Sequence, residues 1–340
     1  MNVVAPEKVS PAAASEAAAA VPEPSRWRDF LRALAKVTAL LVGTALALVA
    51  FVVVVPDGND YAKATLMKHE RLARPVAKKI VLVGGSNLAF GMDSAMIEQA
   101  TGRLVVNMGM NGYFGVRFML EEVKPQLKAG DTVVIALEYD SFFKSVDGTP
   151  TDLLMVAKND SRALSHLTWQ QRLAMAKVVP YVAQQKLLRL IRNAGHLFRT
   201  EQRGPLDMIE TLAGFNQYGD LESHLGVDWN AELENGIDLT RTPMDGEVIG
   251  LLRDFAAEMK GRSVQVIVSY TPAIEYYYAA HKRSIDHLHE LMTEGGSLVV
   301  PSPPTDFVFP RRLFFDTVYH VNREGRALRT QKVIRDIQRN

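Results

Sequence analysis

The chain has 340 residues, with 39 Lys and Arg against 38 Asp and Glu, a formal net charge of +1, and no cysteine. Balanced charge argues against a nucleic-acid binder, whose affinity comes from many phosphate contacts. The lack of cysteine excludes disulfides and thiolate chemistry and fits a domain outside the cytoplasm.

Residues 1–25, alanine-rich with interspersed Pro and Glu, predict a disordered tail in which only residues 12–20 could form a frayed helix. Residues 37–55 are an uncharged apolar run of 19. As a helix rising about 1.5 Å per residue, it nearly spans a hydrocarbon core of about 30 Å. The predicted division is a cytoplasmic tail over 1–32, a transmembrane anchor over 33–55 and a linker over 56–77. Arg26, Arg28, Arg32 and Lys36 precede the run, whereas Asp57 and Asp60 follow it. The positive-inside rule therefore predicts a single-pass protein of the inner membrane, with its N-terminus cytoplasmic and residues 78–340 periplasmic. A cleaved signal peptide cut near residues 45–50 is the competing reading; the long preceding tail and the continuing Phe51-Val-Val-Val-Val55 weigh against it.

Within 78–340, apolar strands over 80–84, 104–107, 132–137, 264–269 and 297–300 alternate with helical patterns over 93–100, 115–126, 246–260 and 274–293. That alternation predicts right-handed βαβ units and a five-stranded parallel sheet. An insertion of about a hundred residues, near 142–245, is not needed by such a fold. Its middle, 167–199, is helical in pattern, broken near Pro180, and carries Arg172, Lys177, Lys186, Arg189, Arg192 and Arg199 without an acid. Such a segment can lie on an anionic membrane, grip an acidic polymer, or simply present a solvated face over an apolar stripe.

The candidate chemistry lies at two distant places. Strand Ile80-Val-Leu-Val-Gly-Gly-Ser86 ends on two glycines and then a serine at the mouth of a helix, where a parallel sheet holds its ligand. Near the other end, Asp316 and His320 share one short loop before a final amphipathic segment that Asn322 caps. A serine nucleophile needs a base, and the base needs an acid to hold its tautomer. Ser86, His320 and Asp316 are the catalytic candidates. His281, His287 and His289 are read as surface histidines rather than a metal site, and His69, His166 and His196 have no evident partner; no metal and no cofactor are expected.

Gly84-Gly85-Ser86, Asn107-Met-Gly109-Met-Asn111-Gly112 and Asp316 with His320-Val-Asn322 resemble the first, second and last blocks of the SGNH/GDSL hydrolase superfamily, over roughly 78–140 and 246–338. The resemblance implies a three-layer α/β/α sandwich with a flavodoxin-like sheet and hydrolysis or transfer of an ester-linked acyl group. Membrane-tethered relatives add or remove O-acetyl groups on bacterial cell-surface polysaccharides. A carbohydrate substrate, an acetyl group and a membrane-bound acyl-donor partner are what that implies here. Gly85 replaces the family's usual acid, Gly91 falls five residues after the serine rather than four, and three residues rather than two separate Asp316 from His320. The third block, usually Gly-x-Asn-Asp, reads Leu137-Glu138-Tyr139-Asp140, so the asparagine that donates to the oxyanion is missing. Losing one such donor typically costs about 10²–10³ in rate. By analogy the backbone N–H groups of Ser86 and Gly109 remain, and Asn111 or Asn87 could supply an amide. Tyr139 and Asp140, together with Asn216 and Tyr218 from the aromatic and polar stretch 215–220, which His224 follows, are the substrate-contacting candidates. Two other functions compete: a non-catalytic SGNH-like module binding a polysaccharide or partner in an export or acetylation assembly, and a phosphate- or nucleotide-binding domain using Gly84-Gly85-Ser86. The latter lacks a Walker lysine and a ribose-binding acid.

Overall fold

The structure, a computed structural model, describes residues 24–57, 59–195, 208–227, 229, 232–234 and 236–340. The expected frayed helix at 12–20, His196 and Arg199 lie outside them. The chain divides into two units, 1–51 and 52–340.

The first unit is mostly helix α1 (Pro24–Val54), which is long and apolar enough to cross a membrane. It begins at Pro24, so the expected tail boundary at residue 32 falls inside the helix. Nothing in residues 26–32 breaks a helix, and the run simply continues outward from its apolar centre.

The second unit is built on four parallel strands, β1 (Ile80–Gly84), β2 (Val105–Asn107), β3 (Thr132–Ala136) and β4 (Gln265–Val268), in the order β2-β1-β3-β4. The register pairs Ile80 with both Val105 and Thr132, and Thr132 with Gln265. Every residue of β1, β2 and β3 is buried, as continuous Val/Ile runs require when helices cover a parallel sheet. The covering helices include α3 (Ser86–Gly91), α4 (Ser94–Thr101), α5 (Val116–Val123), α8 (Gly246–Gly261) and α10 (Arg323–Arg339). Asp93 caps α4 by accepting from the Met96 N–H, as its position in the sequence suggests.

The expected fifth strand at 297–300 is reduced to one parallel bridge, Ile267 with Val299. Gly295 and Gly296 bend the chain just before it with positive φ, and Pro301, Pro303 and Pro304 follow, each removing a donor from any continuation of the ladder. The chain instead forms a two-stranded parallel pair, β5 (Ala273–Ile274) with β6 (Val308–Phe309), around helix α9 (Glu275–Thr293).

Two segments read as accessory are integral to the core. The expected linker contains helix α2 (Ala64–Leu72), with Lys68, His69 and Arg71 all buried. His69, which lacked a partner in the sequence, lies between Asp160 at 2.6 Å and Glu122 at 3.0 Å. The insertion supplies α6 (Pro150–Asn159) and α7 (Trp169–Gly195), and α7 runs through Pro180 without ending there. Pro180 is exposed, so its ring does not disturb packing against the core. Beyond α7 the chain returns along β2, where Tyr218 accepts from the Asn107 N–H at 2.9 Å. Fully buried Asp220 accepts from Ser94, Asn107 and Arg326.

Candidate active site

Ser86 opens α3 directly after β1, at the carboxyl end of the sheet. Both preceding glycines are required by close approach. A Cβ on Gly84 would stand 2.2 Å from the Ala136 carbonyl oxygen of β3, and one on Gly85 would stand 2.3 Å from both Glu138 carboxylate oxygens. The space beside residue 85 is filled by the carboxylate of Glu138, reaching over from the end of β3. Glu138 Oε1 accepts from the Asn87 N–H at 2.9 Å, while its buried Oε2 has no hydrogen-bond partner among the described residues.

His320 lies on the loop between β6 and α10. The Phe315 N–H donates to the His320 carbonyl at 2.8 Å, Phe314 bridges Val321, and Thr317 Oγ1 accepts from the Tyr319 and His320 N–H groups. This turn at Thr317 sets the Asp316 and His320 side chains within reach of each other. Asn322 caps α10 by accepting from the Gly325 N–H. The result joins residues 234 positions apart. His320 Nε2 is 2.9 Å from Ser86 Oγ, and His320 Nδ1 is 2.8 Å from Asp316 Oδ1. Because Asp316 can only accept when ionised, the Nδ1 proton donates to it and Nε2 is left to accept from the serine hydroxyl. Burial would lower the imidazole pKa, but Asp316 beside it, with the charges of Glu138 and Glu210, raises it above the ordinary histidine value.

The ring is also held by packing. Phe90 stacks on His320 with centroids 4.0 Å apart and planes 4° from parallel. Phe315 and His224 pack against the far part of Phe90. His224 lies in this apolar box with its pKa pushed down to about 3 by burial and by His320, so it stays neutral and Nε2 donates to the Val321 carbonyl at 3.3 Å.

The other expected site residues divide. Asn87 is fully buried and committed: its Nδ2 donates to Ala136 O, and its two oxygens accept from Arg329. It pins the turn after Ser86, so its amide is not available as the expected oxyanion donor. The Gly109 N–H donates to Asn107 Oδ1 at 2.9 Å, so it too is spoken for. Asn111 lines the cleft, but one N–H is given to Asp152 at 3.1 Å and its oxygen caps Tyr113. Tyr139 is 1% exposed and packs between Tyr270 and Tyr319, a core residue rather than a substrate contact. Asn216 ties its own loop to Asp220 and Glu222, and the Tyr218 ring covers Arg71, so neither lines the cleft. Asp140 does line it, held by Tyr319 Oη at 2.6 Å and Lys144 at 3.1 Å.

The cleft over Ser86 and His320 has a volume of about 1120 Å³ and is walled by Tyr113, Asp140 and Tyr319 on one side and by Tyr181, Gln185 and Arg192 of α7 on another. Elsewhere, His281 bonds to the Tyr277 carbonyl, His289 to Tyr270 Oη and exposed His287 to Glu290, so the three diverge. His281 and His289 are half-buried rather than surface residues.

The sequence concealed three supporting groups. Phe90 carries a signal, being four residues after Ser86 and one helical turn along the same face. Arg329 and Lys68 carry none. Lys68 is buried, its amine donates to the carbonyls of Asn107, Gly109 and Gly219, and burial lowers its pKa to about 7. It fixes the second-block loop beneath the cleft. In comparison with known proteins, no family model and no curated protein matches the chain.

Proposed function

We propose that the chain is a membrane-anchored, SGNH-type serine acyl-enzyme whose domain faces the periplasm, hydrolysing or transferring ester-linked acyl groups, acetyl foremost, of a cell-surface or exported polysaccharide. The observation that carries this reading is the relay Asp316–His320–Ser86, with both contacts under 3 Å at the base of one cleft. The strand order, with Val299 beside β4, supports a flavodoxin-like three-layer arrangement. The cationic N-terminal flank of α1 supports the outward topology.

In the proposed reaction Ser86 Oγ attacks the acyl carbon while its proton passes to His320 Nε2, and Asp316 steadies the imidazolium. The tetrahedral oxyanion collapses as His320 returns the proton to the leaving alcohol. Water or a sugar hydroxyl then attacks the acyl-serine with His320 again as base, releasing carboxylate or a new ester. The Ser86 N–H, in the first turn of α3 where helix donors lack intrahelical partners, is the proposed oxyanion donor.

The test is hydrolysis of an aryl acetate by the full chain in detergent. The reading expects turnover and fluorophosphonate labelling of Ser86, both lost in Ser86→Ala and retained in His287→Ala. A folded protein with neither turnover nor labelling would instead be a non-catalytic polysaccharide- or partner-binding module. The committed amides of Asn87 and Gly109 are the observation that favours that second reading.

A further inference from the structure

Helix α7 presents three distinct faces. Met175, Val179 and Ala183 are buried against the core, and Tyr181, Gln185 and Arg192 line the cleft. The third face has no partner in the described residues: Trp169, Leu173, Leu187 and Ile191 are 71%, 44%, 50% and 59% exposed. Counted from Trp169 these lie 4, 18 and 22 residues along, close to whole turns at about 3.6 residues each, so they form one stripe, and exposed Pro180 lies on it between Leu173 and Leu187. Over its 27 residues α7 carries five cations and no acid.

The position of this helix narrows what covers the stripe. The Lys186 amine donates to the carbonyls of Val52 at 2.8 Å and Val55 at 2.5 Å, the last backbone acceptors of the apolar run, and pairs with Asp57 at 2.8 Å. Arg189 donates to the Pro56 carbonyl, and Lys158 also pairs with Asp57. α7 is thus fastened to the short segment where the chain leaves its apolar stretch. If residues 37–55 span a bilayer, as the proposed function holds, that segment lies at the headgroups. A tryptophan at one end, aliphatic residues along one line and exposed Arg172 and Lys177 flanking them are the composition of a helix lying in a membrane interface. A second copy is the poorer occupant, because a two-fold contact through this stripe would bring Arg172 and Lys177 of two copies together with no acid on either helix to pair them.

We infer that α7 is an interfacial helix whose Trp169–Leu173–Leu187–Ile191 stripe is buried in the outer surface of the bilayer that holds α1. The inference rests on the anchored reading of α1. The cleft wall carried by the same helix then opens beside the headgroups, so Ser86 works on a substrate presented at the membrane surface.

The absence of cysteine makes the test direct. Leu173→Cys, Leu187→Cys and Ile191→Cys, each exposed and tolerant of a label, are spin-labelled in the full chain and reconstituted into phosphatidylcholine–phosphatidylglycerol vesicles. Val42→Cys in α1 and Lys282→Cys in α9 are the membrane and aqueous references. The inference expects all three α7 labels to be several-fold more accessible to oxygen, relative to an aqueous nickel chelate, than the label at 282. Nickel accessibility equal to that at 282, with the label at 42 protected, overturns the inference while leaving the anchor intact. Spin–spin broadening among the α7 labels, the sign of a second copy, also overturns it. A nickel-accessible label at 42 removes the anchor and the inference together. None of these readings depends on turnover.

Discussion

The two sides of the candidate site are built to different degrees. On the proton-transfer side, Ser86, His320 and Asp316 are joined by two short contacts, the imidazole is clamped by Phe90, and its loop is tied at Thr317 and Phe315. On the proposed oxyanion side, the amides of Asn87 and Gly109 are spent on structure. A carboxylate, Glu138, lines the cleft beside Gly85 and, when ionised, offers acceptors rather than donors. The difference separates making a nucleophile from stabilising the charge it creates. The first has its groups in place here, whereas the second rests on the backbone; under the proposed function this predicts slow formation as well as slow breakdown of the acyl-enzyme, because both pass through a tetrahedral oxyanion.

The largest expected effect comes from breaking the equipped side. His320→Ala should lower aryl acetate turnover by about 10³-fold or more, to the level of Ser86→Ala, because members of a relay act as a unit. Equal rates for the double variant and either single variant, measured by steady-state kinetics, would show that unity. Asp316→Asn should cost about 10²–10⁴-fold and also move the acid limb of the pH–rate profile downward. The sign follows from the charges: the imidazole must be neutral to take the serine proton, neighbouring carboxylates keep it protonated to a higher pH, and removing one releases the proton earlier.

Next in size is the link between Gly85 and Glu138. Gly85→Ala places a methyl 2.3 Å from a buried carboxylate and should destabilise the fold by about 1–3 kcal/mol in denaturant melts. Combining it with Glu138→Ala should recover much of that loss, a coupling that additive effects would disprove. The smallest effect sharpens the oxyanion side. Asn111 gives an N–H to Asp152, so Asn111→Ala should change kcat by less than about tenfold, against the 10²–10³ of a true oxyanion donor.

What the sequence disclosed follows the range of the interaction that determines it. Strand β1, its two glycines and Ser86 are local: apolar run, turn and helix start are adjacent, and the structure reproduces them almost residue for residue. The pairing of Ser86 with His320 spans 234 residues yet was legible, because nucleophile, base and acid carry chemistry that only makes sense together. Partners without such chemistry were hidden. Glu138 lies 53 residues from the Gly85 whose side-chain space its carboxylate fills, and nothing local connects the two. Arg329 lies 242 residues from the Asn87 it holds, with no periodicity to connect them. Asn216 and Tyr218 carry groups typical of sugar contacts, but the loop spends them on β2, Arg71 and the Asp220 network. The fifth strand failed for a local reason that was present in the sequence, the prolines at 301, 303 and 304.

The central claim is that His320 activates Ser86, and the pH dependence of fluorophosphonate labelling at Ser86 tests it most directly. Labelling of the full chain should accelerate with pH along a limb centred above the ordinary histidine value, and His320→Gln should abolish that limb together with most of the rate. Labelling at Ser86 that proceeds at an unchanged, pH-independent rate in His320→Gln would contradict the account.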